Sequence, residues 1–248
     1  MTRNQPGRSN DDLTNIQGPD KAETRSVPKV KICGLQSVEV LKSIVNLPVD
    51  YIGIVFAPSR RQVEANQAAQ LILASQAWEV DPRPLIAGVF VNPDFAELKR
   101  VLSVARLDII QLHGQETPQF CSEVREKLRV QVYKAFAVKD AKEEPVNVLE
   151  RLQPYTGHVD GILIDTYDPV TGGGTGQVFG WEAIPPYSAW AREHNLPLLI
   201  AGGLHEGNVS ELIYKYDVYG VDISSGVETN GVKDPARIQA FVERVKTR

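Results

Sequence analysis

Residues 198–226 read LLIAGGLHEGNVSELIYKYDVYGVDISSG. Two short apolar runs, 198–201 and 220–223, each stop at small residues. Gly202-Gly203 follows the first and Ser224-Ser225-Gly226 the second. Between them, 207–216 has the mixed apolar and polar spacing of a helix. A strand, a tight turn and a helix leading to a second strand make a βαβ unit, in which the strands run parallel.

The same unit repeats upstream. Apolar runs fall at 30–32, 51–56, 85–91, 108–112, 130–136 and 161–165. Helical patterns follow at 37–45, 64–77, about 95–104, 118–128, 146–152 and 181–194, with a last one at 234–246 after the eighth run. Asn92-Pro93-Asp94 supplies the cap and first turn of the third helix. Eight strand–helix units after residue 27 predict an α/β fold, a single closed (β/α)8 TIM barrel. An open doubly wound sheet is the alternative. That fold carries G-x-G-x-x-G after its first strand, where this chain has Cys33-Gly34.

Composition bounds the function classes. The chain has 248 residues, 42% of them hydrophobic, enough for a substantial core. Residues 1–26 are polar and punctuated by Gly and Pro, so they are expected to be a disordered leader, with the barrel occupying 27–248. The net charge of −4 argues against a nucleic-acid partner. No apolar run approaches the ~20 residues of a membrane span. Two cysteines far apart and four histidines without metal spacing point to no metal, no disulfide framework and a reduced, cytoplasmic setting.

In such a barrel the active site lies at the carboxyl ends of the strands. The residues just past the apolar runs include Cys33, Arg60 or Arg61, Asn92, His113, Asp165, Gly202-Gly203 and Ser224-Ser225-Gly226. A thiol, a guanidinium, an imidazole and a carboxylate on one face exceed what a structural barrel needs. The loops after the seventh and eighth strands commonly hold a phosphate, and their small residues leave backbone N–H groups open to one. The sixth run ends at Asp165 and leads into Gly172-Gly173-Gly174-Thr175-Gly176. Glycines that dense cost conformational entropy and suit a backbone bending closely around a ligand.

The motifs KICGL (31–35), APSRR (57–61), AGVFVN (87–92), IIQLHG (109–114), LIDT with GGTGQVFGW (163–181), AGGL (201–204), VDISSGVE (221–228) and GVKD (231–234) stand in one order. Together they resemble the phosphoribosylanthranilate isomerase family, over essentially all of 30–245. The resemblance implies an Amadori rearrangement of N-(5-phosphoribosyl)anthranilate to 1-(2-carboxyphenylamino)-1-deoxyribulose 5-phosphate in tryptophan biosynthesis. It implies no cofactor, a small phosphosugar substrate as the partner, and a monomer or homodimer. By the same resemblance Cys33 is the general base, Asp165 the general acid, and Arg61 the partner of the substrate carboxylate. His113, Gly176 and Asp222 contact substrate. Gly202, Gly203, Ser224, Ser225 and Gly226 hold the phosphate.

The residue types suit the chemistry. Ring opening needs a group that enters protonated, and removal of the C2 proton needs one that enters deprotonated. A thiol serves as that base if nearby cations or dipoles lower its pKa. The chain departs from the pattern at Arg60, where the family commonly has proline, and at Gly180, where it often has aspartate. Two rivals remain: the related phosphosugar isomerase of histidine biosynthesis, expected to end its first strand in a carboxylate, and a catalytically silent phosphate-binding barrel. Cys121 falls within a helical pattern and reads as core; His158, His194 and His205 read as surface residues.

Overall fold

Eight apolar runs that each face a neighbour on both sides must close on themselves or leave two edges bare. Here they close. The structure, a computed structural model, describes residues 26–138, 144–166 and 180–247. Its strands are β1 (Lys29–Cys33), β2 (Tyr51–Val55), β3 (Leu85–Phe90), β4 (Ile109–Leu112), β5 (Gln131–Val138), β6 (Gly161–Thr166), β7 (Leu198–Ile200) and β8 (Gly220–Ile223). Each pairs in parallel with the next, and β8 returns to β1. The helices α1 (Val38–Ser43), α2 (Ala65–Ser75), α3 (Phe95–Leu102), α4 (Pro118–Leu128), α5 (Pro145–Leu152), α6 (Ile184–Glu193), α7 (Val209–Lys215) and α8 (Pro235–Lys246) alternate with them. The chain is a TIM barrel.

Two apolar layers follow from the two faces of each strand. Outward residues such as Ile32, Ile54, Ile110 and Ile164 pack beneath the helices in one large cluster. Inward residues, among them Tyr51, Ile109, Tyr133, Leu163 and Leu199, fill the barrel itself. Local signals start the helices where the spacing predicts. Ser37, Asp94, Thr117 and Asp234 each accept a backbone N–H of the first turn, and Pro118 and Pro235 follow two of those caps.

The amino-terminal end of the barrel is tied by a repeated device. Asp50, Asp108 and Asp160 stand just before β2, β4 and β6. Each accepts the N–H of the second residue of the preceding strand, at 2.8 Å from Val30, 2.8 Å from Ile86 and 2.9 Å from Val132. Three carboxylates are thereby spent on stability at the end opposite the expected chemistry.

The structure departs from expectation in detail. The helix expected at 181–194 begins as a 3-10 turn, Trp181–Ala183, and Gly180 before it offers no side-chain cap. A short hairpin, β9 (Glu228–Thr229) with β10 (Val232–Lys233), stands between β8 and α8. Asn230 and Gly231, both at positive φ, make its turn. His158 and His194 are half-buried rather than on the surface: His158 meets the Ser122 hydroxyl at 2.7 Å, and His194 packs against Trp190. Residues 1–25 of the expected leader and the glycine run 172–176 lie outside the described residues. No described helix is long and apolar enough to cross a membrane.

Candidate active site

Alternation along β1 turns Lys31 and Cys33 to the same side of the strand, and β1's register sets Lys31 beside Asp222 of β8. Cys33 is buried among Val55, Val89 and Ala57. Its sulfur lies 2.7 Å from where a Cβ on Gly53 would stand, so the glycine makes the room that the thiol occupies. Below it, Lys31 Nζ meets Asp222 Oδ2 at 2.9 Å, with the side chains 1% and 7% exposed. Asp222 Oδ1 and Gln111 Oε1 are buried and take no hydrogen bond from any described residue.

The environment of Cys33 differs from the one expected. Burial pushes its pKa above the ordinary thiol value and outweighs Lys31 and Lys233, which pull it down, while Asp222 adds to the rise. The thiol is therefore mostly protonated at neutral pH in the unliganded protein.

Asp165 ends the inward face of β6, three strands round the closed barrel from Cys33 on β1 by way of β8 and β7. Its Oδ2 lies 3.6 Å from His113 Nε2. His113 Nδ1 is 3.2 Å from the Gln111 amide nitrogen. Burial first, then Lys134 and Lys31, push the imidazole down to about 4, so the ring is neutral at neutral pH and the contact with Asp165 is no ion pair.

Arg61 approaches from the β2 side. It packs so closely on Gly34 (φ +79°) that a Cβ there would lie 2.6 Å from Arg61 Cδ. Its Nε and terminal nitrogen donate to the two oxygens of Glu228 at 2.7 and 3.1 Å. Arg60 reaches Glu228 Oε2 at 2.7 Å but stands 58% exposed, against 12% for Arg61. Lys233 also contacts Glu228, and lies 3.2 Å from the Ser224 carbonyl. Burial opposes ionisation of Glu228, yet Arg61 and Lys233 win and hold it below the usual carboxylate range. Three cations converge on one carboxylate, which leaves this side of the mouth positive.

Gly202 and Gly203 follow β7 at φ +89° and +62°, and the Asn208 amide donates to the Gly203 carbonyl at 3.0 Å. Ser225 opens a 3-10 turn after β8 that contains Gly226, while the Ser224 hydroxyl donates to the Cys33 carbonyl at 3.1 Å. A Cβ on Gly226 would stand 1.9 Å from the Leu204 carbonyl, so only glycine lets the two loops meet backbone to backbone. Gly176 lies outside the described residues.

The fold thus gathers Cys33, Arg61, His113, Asp165, Asp222 and both glycine loops at the carboxyl ends of the strands. Cys121 is apart from them, fully buried in α4. Sequence reasoning gave no role to Lys31, Gln111, Glu228 or Lys233. A lysine inside the apolar run VKIC and the Asn230-Gly231 hairpin signal flanked by Glu228 and Lys233 were the available clues.

Comparison with known proteins bears on what this constellation does. The family model for N-(5'-phosphoribosyl)anthranilate (PRA) isomerase matches residues 30–244. An N-(5'-phosphoribosyl)anthranilate isomerase of Brevibacillus brevis is 49% identical over 218 residues, 88% of this chain and 93% of that protein. Among solved structures, phosphoribosyl anthranilate isomerase from Thermotoga maritima superposes with a TM-score of 0.72 at 33% identity, covering 89% of this chain and all of the other. A further phosphoribosyl anthranilate isomerase structure, with TM-score 0.69 and 32% identity over 89% of this chain and 100% of that one, is a complex with reduced 1-(o-carboxyphenylamino)-1-deoxyribulose 5-phosphate.

Proposed function

The chain belongs to the N-(5'-phosphoribosyl)anthranilate isomerase family, and we propose that it performs the family's rearrangement with Cys33 as general base and Asp165 as general acid. It is an isomerase of tryptophan biosynthesis. The observation that supports these roles is that a thiol and a carboxyl group end β1 and β6 of one closed barrel, beside an arginine and two glycine loops.

The substrate enters with its phosphate on the N–H groups around Gly203, Ser225 and Gly226. Its anthranilate carboxylate meets the Arg61 guanidinium, whose fork Glu228 holds in place. Asp165 gives its proton to the ribose ring oxygen as the C1–O bond breaks, and the aniline nitrogen supplies the electron pair that forms the Schiff base. The Cys33 thiolate then takes the proton from C2, and its electrons pass to the C1–C2 bond and neutralise the iminium nitrogen. The resulting enaminol gains a proton at C1 and loses one from the C2 hydroxyl, giving the ketone. Asp222 Oδ1, buried without a described hydrogen-bond donor, suits a ribose hydroxyl. No step calls for a cofactor. The two reduced cysteines fit a cytoplasmic enzyme.

Purified protein mixed with freshly made phosphoribosylanthranilate should consume its fluorescence, at the roughly 1–10³ turnovers per second common to enzymes. Absence of turnover in folded protein would overturn the reading in favour of a silent phosphate-binding barrel.

Arg61→Lys should raise KM for substrate by roughly tenfold to a hundredfold, the worth of a charged hydrogen bond whose fork lysine does not reproduce. Competitive inhibition by inorganic phosphate should hardly change, and Arg60→Lys should be nearly silent. Damage by Arg60→Lys alone would move the carboxylate contact to Arg60. Gly203→Val should raise both KM and the inhibition constant of phosphate, by about tenfold or more, by blocking close approach of the anion. Unchanged constants in a folded variant would remove the phosphate from this loop.

A further inference from the structure

A buried ion pair returns less than its desolvation costs unless its geometry is used for something else. Lys31 and Asp222 form such a pair inside the barrel, and one apolar residue at each position would pack there without the cost. Among the described residues neither side chain caps a helix. The pair lies directly beneath the thiol. Lys31 and Cys33 alternate onto the same face of β1, Asp222 is the register partner of Lys31 on β8, and Lys31 Nζ keeps a single carboxylate partner at 2.9 Å.

We propose that Lys31 is a positioning residue for the Cys33 thiolate: its ammonium, held under the sulfur by Asp222, is the fixed counter-charge that lets the thiol ionise in a buried site. This deepens the reading of Cys33 as the base and rests on it for its catalytic meaning.

The other groups facing the sulfur fit this assignment. Lys233, from β10, is the second cation, but Glu228 and the Ser224 carbonyl and hydroxyl engage its ammonium. β2 contributes Gly53 and Val55, and β3 Val89, none of them ionisable. His113 on the β4 side is neutral, and Asp165 on β6 lies against it at 3.6 Å. Lys31 is the strongest opponent of the burial that keeps the thiol protonated, ahead of Lys233, whereas Asp222 adds to the effect of burial. Lys31 itself stays charged, because Asp222 and Cys33 together outweigh its desolvation.

The two charges act on the thiol with opposite signs, Lys31 lowering its pKa and Asp222 raising it. The test is the pH dependence of Cys33 alkylation by iodoacetamide in the full chain, read by mass spectrometry of the Cys33 peptide. Cys121 is fully buried, its thiol pushed up to about 12, and it stays silent. Lys31→Met should slow alkylation at about pH 8 by roughly tenfold and move its midpoint upward by about one unit. The double variant Lys31→Met/Asp222→Asn, which leaves no unpaired buried charge, should still shift upward, because the lysine acts on the thiol more strongly than the aspartate.

An unmoved profile in folded Lys31→Met, or in the double variant where the single one does not fold, overturns the proposal. Alkylation needs no substrate, so the outcome separates from the catalytic reading. A shifted profile with a fully active Cys33→Ser would sink the base and leave the ion pair's role standing; an unmoved profile with a dead Cys33→Ser would do the reverse.

Discussion

Cys33→Ser cuts kcat by about 10²- to 10⁴-fold, the worth of a positioned general base, while KM for phosphoribosylanthranilate changes little. The substitution exchanges sulfur for oxygen in a pocket that Gly53 shapes, so packing is nearly conserved. What changes is the anion. A hydroxyl does not ionise near neutral pH, whereas a thiol reaches its thiolate near ~8.5 when unperturbed. Cys33→Ala should be no worse than Cys33→Ser, because neither carries a usable base. In the unliganded wild-type protein burial raises the thiol further. Its thiolate fraction therefore grows with pH through the neutral range, and inactivation by iodoacetamide should keep accelerating about tenfold per pH unit to beyond ~8.5, with substrate protecting. A plateau reached below neutral pH would show a thiol lowered instead of raised. A Cys33→Ser enzyme within tenfold of wild type would remove Cys33 from the proton transfer.

Much of this frame was legible in the residues. Runs of three to seven mostly apolar residues, each followed by small, polar or reactive residues, place eight strands and their carboxyl ends, because a parallel strand buried on both faces has little room for polar residues. Cys33 and Asp165 stood out for that reason, as chemistry at the point where burial stops. Side-chain direction and desolvation were not legible. Whether Lys31 pairs with Asp222 depends on the β1–β8 register, a contact between residues 191 positions apart. The sign of the thiol's shift depends on burial against two lysines, one of them delivered by a hairpin that only Asn230-Gly231 announces. Glu228 follows the same logic: as sequence it is one of many acids, and only the hairpin brings it under Arg61.

Asp165→Asn should lower kcat by about 10²- to 10⁴-fold with little change in KM, since the amide keeps the shape but has no acidic proton to give the ring oxygen. The competing donor is His113, whose Nε2 lies 3.6 Å from the same carboxylate. Its imidazole is pushed down to about 4, so near pH 7 the ring is neutral. The neutral ring has one N–H and one acceptor. With the Gln111 amide donating to Nδ1, the ring's own proton sits on Nε2 and faces Asp165. His113 then orients the carboxyl group and does not replace it. His113→Gln, which keeps a donor of similar reach, should cost less than about tenfold in kcat, well under the loss in Asp165→Asn. Kinetics of the two variants side by side decide the assignment: a His113→Gln enzyme crippled more deeply than Asp165→Asn would make the imidazole the acid and the carboxylate its support.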